Sequence, residues 1–276
     1  MEGLYKHGFV FKKRFGQNFI SDTNLLRAIV ADAGVTDSDA VLEIGTGAGA
    51  LTRALAERAK RVVSYEIDRD LKPVLEESLA GLSNVEVVFR DFAKENLTRL
   101  EEELGAYAVV ANLPYYITTP LVMRFAEEAE RCRSLTVMVQ EEVALRFAAK
   151  ENTADYGAVT AALARRGEAE VLRKVPRTMF TPRPNVDSAV VKIDFTKGGF
   201  GVKSERAYYE TVRCAFFSRR KTLENNLVNT FRLTREEAKR ILRAAEIGEG
   251  ARGETLSPQR LGALSDILFE RGIVTE

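Results

Sequence analysis

The sequence predicts an α/β domain built on a mostly parallel sheet, followed by a small all-α domain. Three observations carry that prediction. Short apolar, β-branched runs alternate with helix-period patterns over the first half of the chain, the rhythm of a parallel sheet covered by helices. Near residue 169 the rhythm changes to two strand-like runs with no room for a crossover helix between them. Past residue 201 the strand signal stops and only helical patterns remain.

Element by element, Asp22 followed by Leu25, Leu26, Ile29, Val30 and Ala33 gives a helix with an acidic cap, stopped by Gly34. Buried strands are read at 40–44, 61–65, 85–89, 108–111 and 135–139, with helices between them at 51–59, 70–79, 120–129 and 142–149. Another helix is read near 156–166. The runs at 169–175 and 188–195, separated by Pro176, Pro182 and Pro184, are expected to pair antiparallel at one end of the sheet. Five parallel strands plus an antiparallel pair is the outline of a Rossmann-like methyltransferase. Three glycines in 197–201 mark a linker, so the domains are expected at 1–200 and 201–276. Helices at 208–217, 223–231, 235–245 and 258–269 fill the second.

Composition narrows the chemistry. The 276 residues are 45% apolar and 29% charged, ordinary values for a globular protein. Two cysteines, Cys132 and Cys214, cannot build a disulfide framework, and one histidine, His7, excludes a His-based metal site or triad. No metal is expected. The longest charge-free run, 104–123, contains Gly105, Asn112, Pro114 and Pro120 and reads as a strand, a turn and a helix start, not a membrane span. No export signal is read, so the cytoplasm is the expected compartment. The absence of a strongly apolar exposed seam suggests a monomer. Net charge is only +1, yet residues 1–20 carry four basic residues against one acid and residues 165–183 six against two. Residues 21–164 carry fifteen against twenty-four. Such a polarised chain can bind phosphate through local patches, although solvated helix faces would give the same counts.

Glu43 to Gly49 reads E-I-G-T-G-A-G at the end of the first sheet strand and opens a helix. Gly45, Gly47 and Gly49 let the backbone approach a ligand, and Glu66 at the end of the next strand stands where a ribose diol would be held. S-adenosylmethionine and a dinucleotide compete for this arrangement, with G-x-G-x-G favouring the former. Asp91 ends the third strand, either as a cap or as an acceptor for an adenine amine, with Phe92 beside it to pack on the ring. Asn112, Leu113, Pro114 and Tyr115 end the fourth. The Asn112 oxygen and a backbone carbonyl held by Pro114 can both accept from a planar amine, while Tyr115 offers a flat face for its ring. Such acceptors favour a pyramidal nitrogen whose lone pair can point at a sulfonium methyl. The step is then an in-line displacement that needs positioning and no strong base.

These residues resemble the rRNA adenine N6,N6-dimethyltransferase family over nearly the whole chain. The resemblance is carried by KRFGQNF at 13–19, VLEIGTG at 41–47, YEID at 65–68 and NLPY at 112–115, then by FTPRPNVDSA at 180–189 and RRKTL at 219–223. It implies S-adenosylmethionine as cofactor. It further implies dimethylation of two adjacent adenines in the 3′-terminal hairpin of 16S rRNA, within a pre-30S subunit. Cofactor contacts are implied at Asn18, Ile20, Gly45, Glu66, Asp91 and Asn112, with Gln17 alongside. Phe180 would close on the target base opposite Tyr115, although by sequence alone it is simply an aromatic among prolines. Lys12, Lys13, Arg14, Arg219, Arg220 and Lys221 would meet rRNA phosphates. The chain departs from the family pattern at Thr46, where Pro is common, and at Glu141 and Glu224, where basic residues are common.

A related family acts on large-subunit rRNA and has Ile after the Asn, so Leu113 points to the small subunit. A non-catalytic transcription factor on the same fold would not need the intact glycine loop and Asn112–Tyr115 run. A nicotinamide dehydrogenase would need an acid or base at the hydride, and no histidine stands near the sheet.

Overall fold

The structure is a computed structural model that describes residues 4, 6–12 and 15–275. The chain divides into two compact units: residues up to Ala144 with Glu170–Thr196, and Leu145–Ala169 with Lys197–Glu276.

In the first unit, β1 (Phe19–Ile20) precedes α1 (Thr23–Ala33), where Asp22 accepts from the Leu25 N–H and Gly34 closes the helix at φ 74°. Then come β2 (Ala40–Ile44), α2 (Ala50–Ala56), β3 (Arg61–Glu66), α3 (Lys72–Ser78), β4 (Val85–Phe89), α4 (Leu97–Leu104), β5 (Tyr107–Asn112), α5 (Thr118–Glu128) and β6 (Cys132–Gln140). After α6 (Glu141–Phe147), where the chain leaves this unit, and α7 (Ala158–Ala164) of the second unit follow β7 (Glu168–Val175), β8 (Phe180–Thr181) and β9 (Ser188–Asp194). The seven-stranded sheet has the order β4-β3-β2-β5-β6-β9-β7. Its first five strands run parallel, and β9 pairs antiparallel with β6. The chain winds outward from β2 to β4 and then returns to β5, so the switch point lies between β2 and β5, where open α/β sheets bind ligands.

Two features lie outside the sequence expectation. Helix α4 supplies the crossover between β4 and β5, where the sequence pattern shows no helix. Asn96 caps it, Leu97 and Leu100 are buried, and the buried Glu101 accepts from Tyr107 Oη at 3.0 Å and from the N–H groups of Glu130 and Arg131. The second is a small antiparallel pairing of β1 with β8, Phe19 opposite Thr181 and Ile20 opposite Phe180. The main core gathers Leu26, Ile29 and Val30 of α1 and Leu51 and Leu55 of α2 against Val41, Val62, Val110 and Val190 of the sheet. Each such side chain contributes about 1.5–3 kcal/mol on full burial.

In the second unit, α8 (Glu205–Ala215), α9 (Leu223–Phe231), α10 (Arg235–Ala244) and α11 (Pro258–Glu270) begin at Ser204, Thr222, Thr234 and Ser257, whose hydroxyls each accept a backbone N–H of the first turn. Residues 145–169, which precede the expected linker, belong to this unit because buried tyrosines fasten them there. Tyr208 Oη donates to the Ala161 carbonyl at 2.6 Å and Tyr156 Oη to the Leu256 carbonyl at 2.8 Å.

Candidate active site

The carboxyl ends of β2, β3, β4 and β5 open onto one cavity of about 290 Å³, which the segment 15–20 also lines. Each wall follows from local sequence.

The first wall is the glycine loop. Gly45, Gly47 and Gly49 have φ of 86°, 56° and 83°, a region that L side chains rarely adopt. The Gly45 N–H donates to the Tyr65 carbonyl at 2.8 Å and the Gly47 N–H to Glu66 Oε2 at 2.8 Å, so the loop is tied to the end of β3. A Cβ on Gly47 would lie 3.0 Å from the Phe19 ring. Gly49 serves differently: it does not line the cavity, and a Cβ there would meet Ser78 Oγ at 2.8 Å, so its glycine lets the loop approach α3. Thr46 Oγ1 donates to Ser64 Oγ at 2.6 Å, the Ser64 proton being given to Glu43, and this bond restrains the turn where the family often has Pro.

Beneath the loop, Glu43 is fully buried and accepts from Thr52 Oγ1 and Ser64 Oγ, both at 2.6 Å, while its Oε1 has no partner. Burial pushes its carboxyl up to about 8, against the pull of those two hydroxyls. It is therefore mostly neutral at pH 7. No sequence reading singled it out, since an acid inside an apolar strand gives no hint of its partners.

Glu66 is 5% exposed, and its two oxygens are held by the N–H groups of Gly47 and Asp68. Burial raises its carboxyl above the ordinary value. Each oxygen keeps lone-pair capacity for a further donor from the cavity. The exposed Ile67 and the half-buried Asp91 continue the wall. Asp91 caps the short turn 92–94 by accepting from the Ala93 N–H, and Phe92 is buried, stacked on Phe125 at 5.8 Å and 11°. Arg124 fastens this corner by donating to the carbonyls of Phe92, Ala93 and Glu95.

At the end of β5, Asn112 Nδ2 donates to the Asn18 carbonyl at 2.9 Å, which fixes the amide plane and leaves Oδ1 as its acceptor. Leu113 is buried, and Pro114, with φ −55° and ψ 132°, directs the chain into the Tyr115–Ile117 turn. Tyr115 is half-buried, its hydroxyl 2.8 Å from Ser188 Oγ, while Tyr116 is 61% exposed and also lines the cavity.

The segment 15–20 is latched from both sides. Gln17 Nε2 donates to Asp68 and its Oε1 accepts the Lys12 N–H, whereas Asn18 Nδ2 donates to the Gly16 carbonyl. Ile20 lines the cavity from β1. Lys12 Nζ sits 2.5 Å from both Asp68 and Asp70. Hydrogen bonds to Asp68 and Asp70 hold this ammonium above its ordinary pKa. Burial raises the Asp68 carboxyl, but the bonds from Lys12 and Gln17 outweigh it and hold Asp68 below the usual range.

Several expected residues stand elsewhere. Phe180 is 4% exposed and belongs to the core cluster, not to the cavity wall, because the β1–β8 pairing draws it inward. Lys12 is committed to carboxylates and does not offer a free cation. Lys13 and Arg14 lie outside the described residues. Arg219 donates to the carbonyls of Ala154 and Tyr156 and pairs with Glu254, while Arg220 and Lys221 are exposed. The two acids that depart from the family pattern are each met by a cation, Glu141 by Lys174 and Glu224 by Arg235. Among the described residues no group of three His, Cys, Asp or Glu could hold a metal, and no helix is long and apolar enough to cross a membrane.

Comparison with known proteins shows the family. Residues 8–261 match the family model described as ribosomal RNA adenine dimethylase. The chain is 46% identical over 278 residues to ribosomal RNA small subunit methyltransferase A of Geobacillus thermodenitrificans, covering 97% of this chain and 94% of that one. It is 42% identical over 271 residues to the protein of the same name from Clostridioides difficile, again 97% and 94%. Among solved structures, the 23S rRNA methyltransferase ErmE is 30% identical with a TM-score of 0.69, covering 91% of this chain and 99% of that chain. A dimethyladenosine transferase from Plasmodium falciparum, 22% identical with a TM-score of 0.75 over 92% and 98%, shares the fold.

Proposed function

Because the chain belongs to the ribosomal RNA adenine dimethylase family, a family of methyltransferases, we propose that it uses S-adenosylmethionine to dimethylate N6 of two adjacent adenines. The substrate on this reading is the 3′-terminal hairpin of 16S rRNA in a pre-30S subunit, met in the cytoplasm by a monomer.

The observation that carries the reading is the fixed amide of Asn112. Its Nδ2 is committed to the Asn18 carbonyl, so Oδ1 is the atom left to accept from an exocyclic amine at the cavity. The cavity also fits the cofactor. Glu66, held by two backbone N–H groups, can still accept from both hydroxyls of a ribose. Asp91 can accept from an adenine amine, with Ile67 as an apolar wall. The positive-φ loop at Gly45 and Gly47 gives backbone in place of side chains where the nucleoside would lie.

When bound, S-adenosylmethionine supplies an electrophilic methyl group on a sulfonium. The residues do the rest by placement. Tyr115 offers its ring to the target base, with its hydroxyl anchored on Ser188. Asn112 Oδ1 accepts one proton of the amine, and the peptide carbonyl before Pro114 stands to accept the other. The nitrogen lone pair would then be free to displace the methyl group, the S–C electron pair staying on sulfur as a thioether, and the surplus proton on nitrogen would leave to water. Phe180 supports this site from below, holding Ile20 through the β1–β8 pairing. Arg220 and Lys221 contact rRNA phosphates, while Arg219 braces their turn and Lys12 braces the arm over Asp68.

Mass spectrometry of unmodified small-subunit and large-subunit rRNA after incubation with the protein and S-adenosylmethionine tests the proposal. Two N6,N6-dimethyladenines in the 3′-terminal hairpin are expected. Unchanged rRNA, or methylation confined to large-subunit rRNA, would overturn it.

A further inference from the structure

The turn after α8 carries two adjacent phenylalanines with opposite fates. Phe216 packs edge-on against the buried Tyr156, ring centroids 5.6 Å apart, whereas Phe217 is 71% exposed. No other aromatic side chain described is exposed as far. One exposed phenylalanine alone carries no meaning. Its setting does. The turn is held: the Phe217 N–H donates to the Cys214 carbonyl, the Lys221 N–H to the Ser218 carbonyl, and Arg219 is spent on Ala154, Tyr156 and Glu254. Arg220 and Lys221 are exposed beside it, and residues 213–223 contain four basic side chains and no acid.

A flat apolar face on a braced turn, next to cations that the turn does not consume, matches the two needs of an unpaired nucleotide. Its base needs a surface to stack on, and its phosphates need positive charge. A protein partner would also accept the ring, but the two exposed cations that follow it on the same turn, Arg220 and Lys221, favour a polyanion. We propose that Phe217 is a stacking platform for an unpaired rRNA base, with Arg220 and Lys221 gripping the adjoining phosphates. The platform deepens the RNA reading above and rests on it. It adds a second base contact, made by the helical unit, to the one offered by Tyr115 in the cavity.

The chain contains no tryptophan, so Phe217→Trp places a single indole reporter on the platform. The probes are an oligoadenylate of about twelve nucleotides, within the usual span of a single-strand site, and a blunt RNA duplex of equal length. Indole emission should fall saturably with the single strand and stay nearly constant with the duplex. Phe217→Ala should weaken single-strand binding roughly fivefold to tenfold and leave duplex and S-adenosylmethionine binding unchanged, with Phe217→Trp restoring affinity. RNA binding with unaltered indole emission, or wild-type single-strand affinity in Phe217→Ala, would overturn the platform and leave the methyltransferase reading intact; the ring would then belong to a protein contact. A wild-type protein that binds neither RNA would overturn the RNA reading and the platform together.

Discussion

The cavity and the turn after α8 use polar groups in opposite ways. Around the cavity the acidic side chains are held by partners inside the protein: Glu66 by two N–H groups, Asp68 by Lys12 and Gln17, and the neutral Glu43 by two hydroxyls. On the turn only Arg219 is spent, and Arg220, Lys221 and Phe217 face solvent. The difference follows from the roles proposed above for the two regions. A site that must place one nitrogen to a fraction of an ångström needs its own groups locked, whereas a surface that meets a polyanion needs charges still available. Lys12 and Arg220 look alike in the sequence, yet they fall on opposite sides of this division.

Variants can break or sharpen the contrast, and the largest effect is expected at Asn112. Asn112→Ala removes the locked acceptor and should lower single-turnover methylation a hundredfold or more with cofactor saturating. Asn112→Asp keeps an acceptor oxygen and should fall between Ala and wild type. An Asp variant faster than wild type, with a new acidic limb in its pH profile, would mean that a base assists. Next in size is Tyr115. Base stacking is worth about 1–3 kcal/mol, so Tyr115→Ala should slow methylation roughly fivefold to a hundredfold. Tyr115→Phe keeps the ring and should stay close to wild type. Equal losses in both would assign the role to the Ser188 hydrogen bond.

The smallest effect concerns stability and pH. Glu43 titrates near 8 when folded, above its unfolded value of about 4.5. The folded state therefore binds the extra proton between those values, and stability declines as pH rises through that window. Glu43→Gln copies the neutral carboxyl. Its Tm relative to wild type should climb by several degrees from about pH 5 to pH 8 and then level off. A Tm difference that does not vary with pH would mean that Glu43 is ionised in the folded protein.

The sequence showed the parts of this picture that local pattern encodes. The Val-rich run 61–65 gives away a buried strand, whereas 85–89 forms the edge strand β4, half-buried with Glu86 exposed because the sheet ends there. Asp22 and Gly34 bound α1 because cap chemistry is local. Helix α4 escaped because three consecutive glutamates hide the leucine face, and the partners that bury Glu101 lie up to 30 residues ahead. The pairing of β1 with β8 is two residues long and joins positions about 160 apart, so no periodicity announces it. With it went the placement of Phe180. Asn112 and the glycine loop stood out because an Asn-Leu-Pro-Tyr run and three alternating glycines at strand ends are uncommon local patterns. Whether a cation is free depends on distant carboxylates: Lys12 meets Asp68 across 56 residues, and no count along the chain reveals that.

The most direct measurement of the division between spent and available charge is the salt dependence of RNA binding, taken beside S-adenosylmethionine affinity, in two variants. Arg220→Ala with Lys221→Ala should lose RNA affinity and flatten the log–log salt slope by roughly 1.5, since each phosphate contact contributes about 0.7–0.9, with cofactor affinity unchanged. Lys12→Met should leave the slope at its wild-type value and weaken the cofactor, because the arm over Asp68 loses its brace. A flattened slope in Lys12→Met, or a wild-type slope in the double variant, would contradict the account.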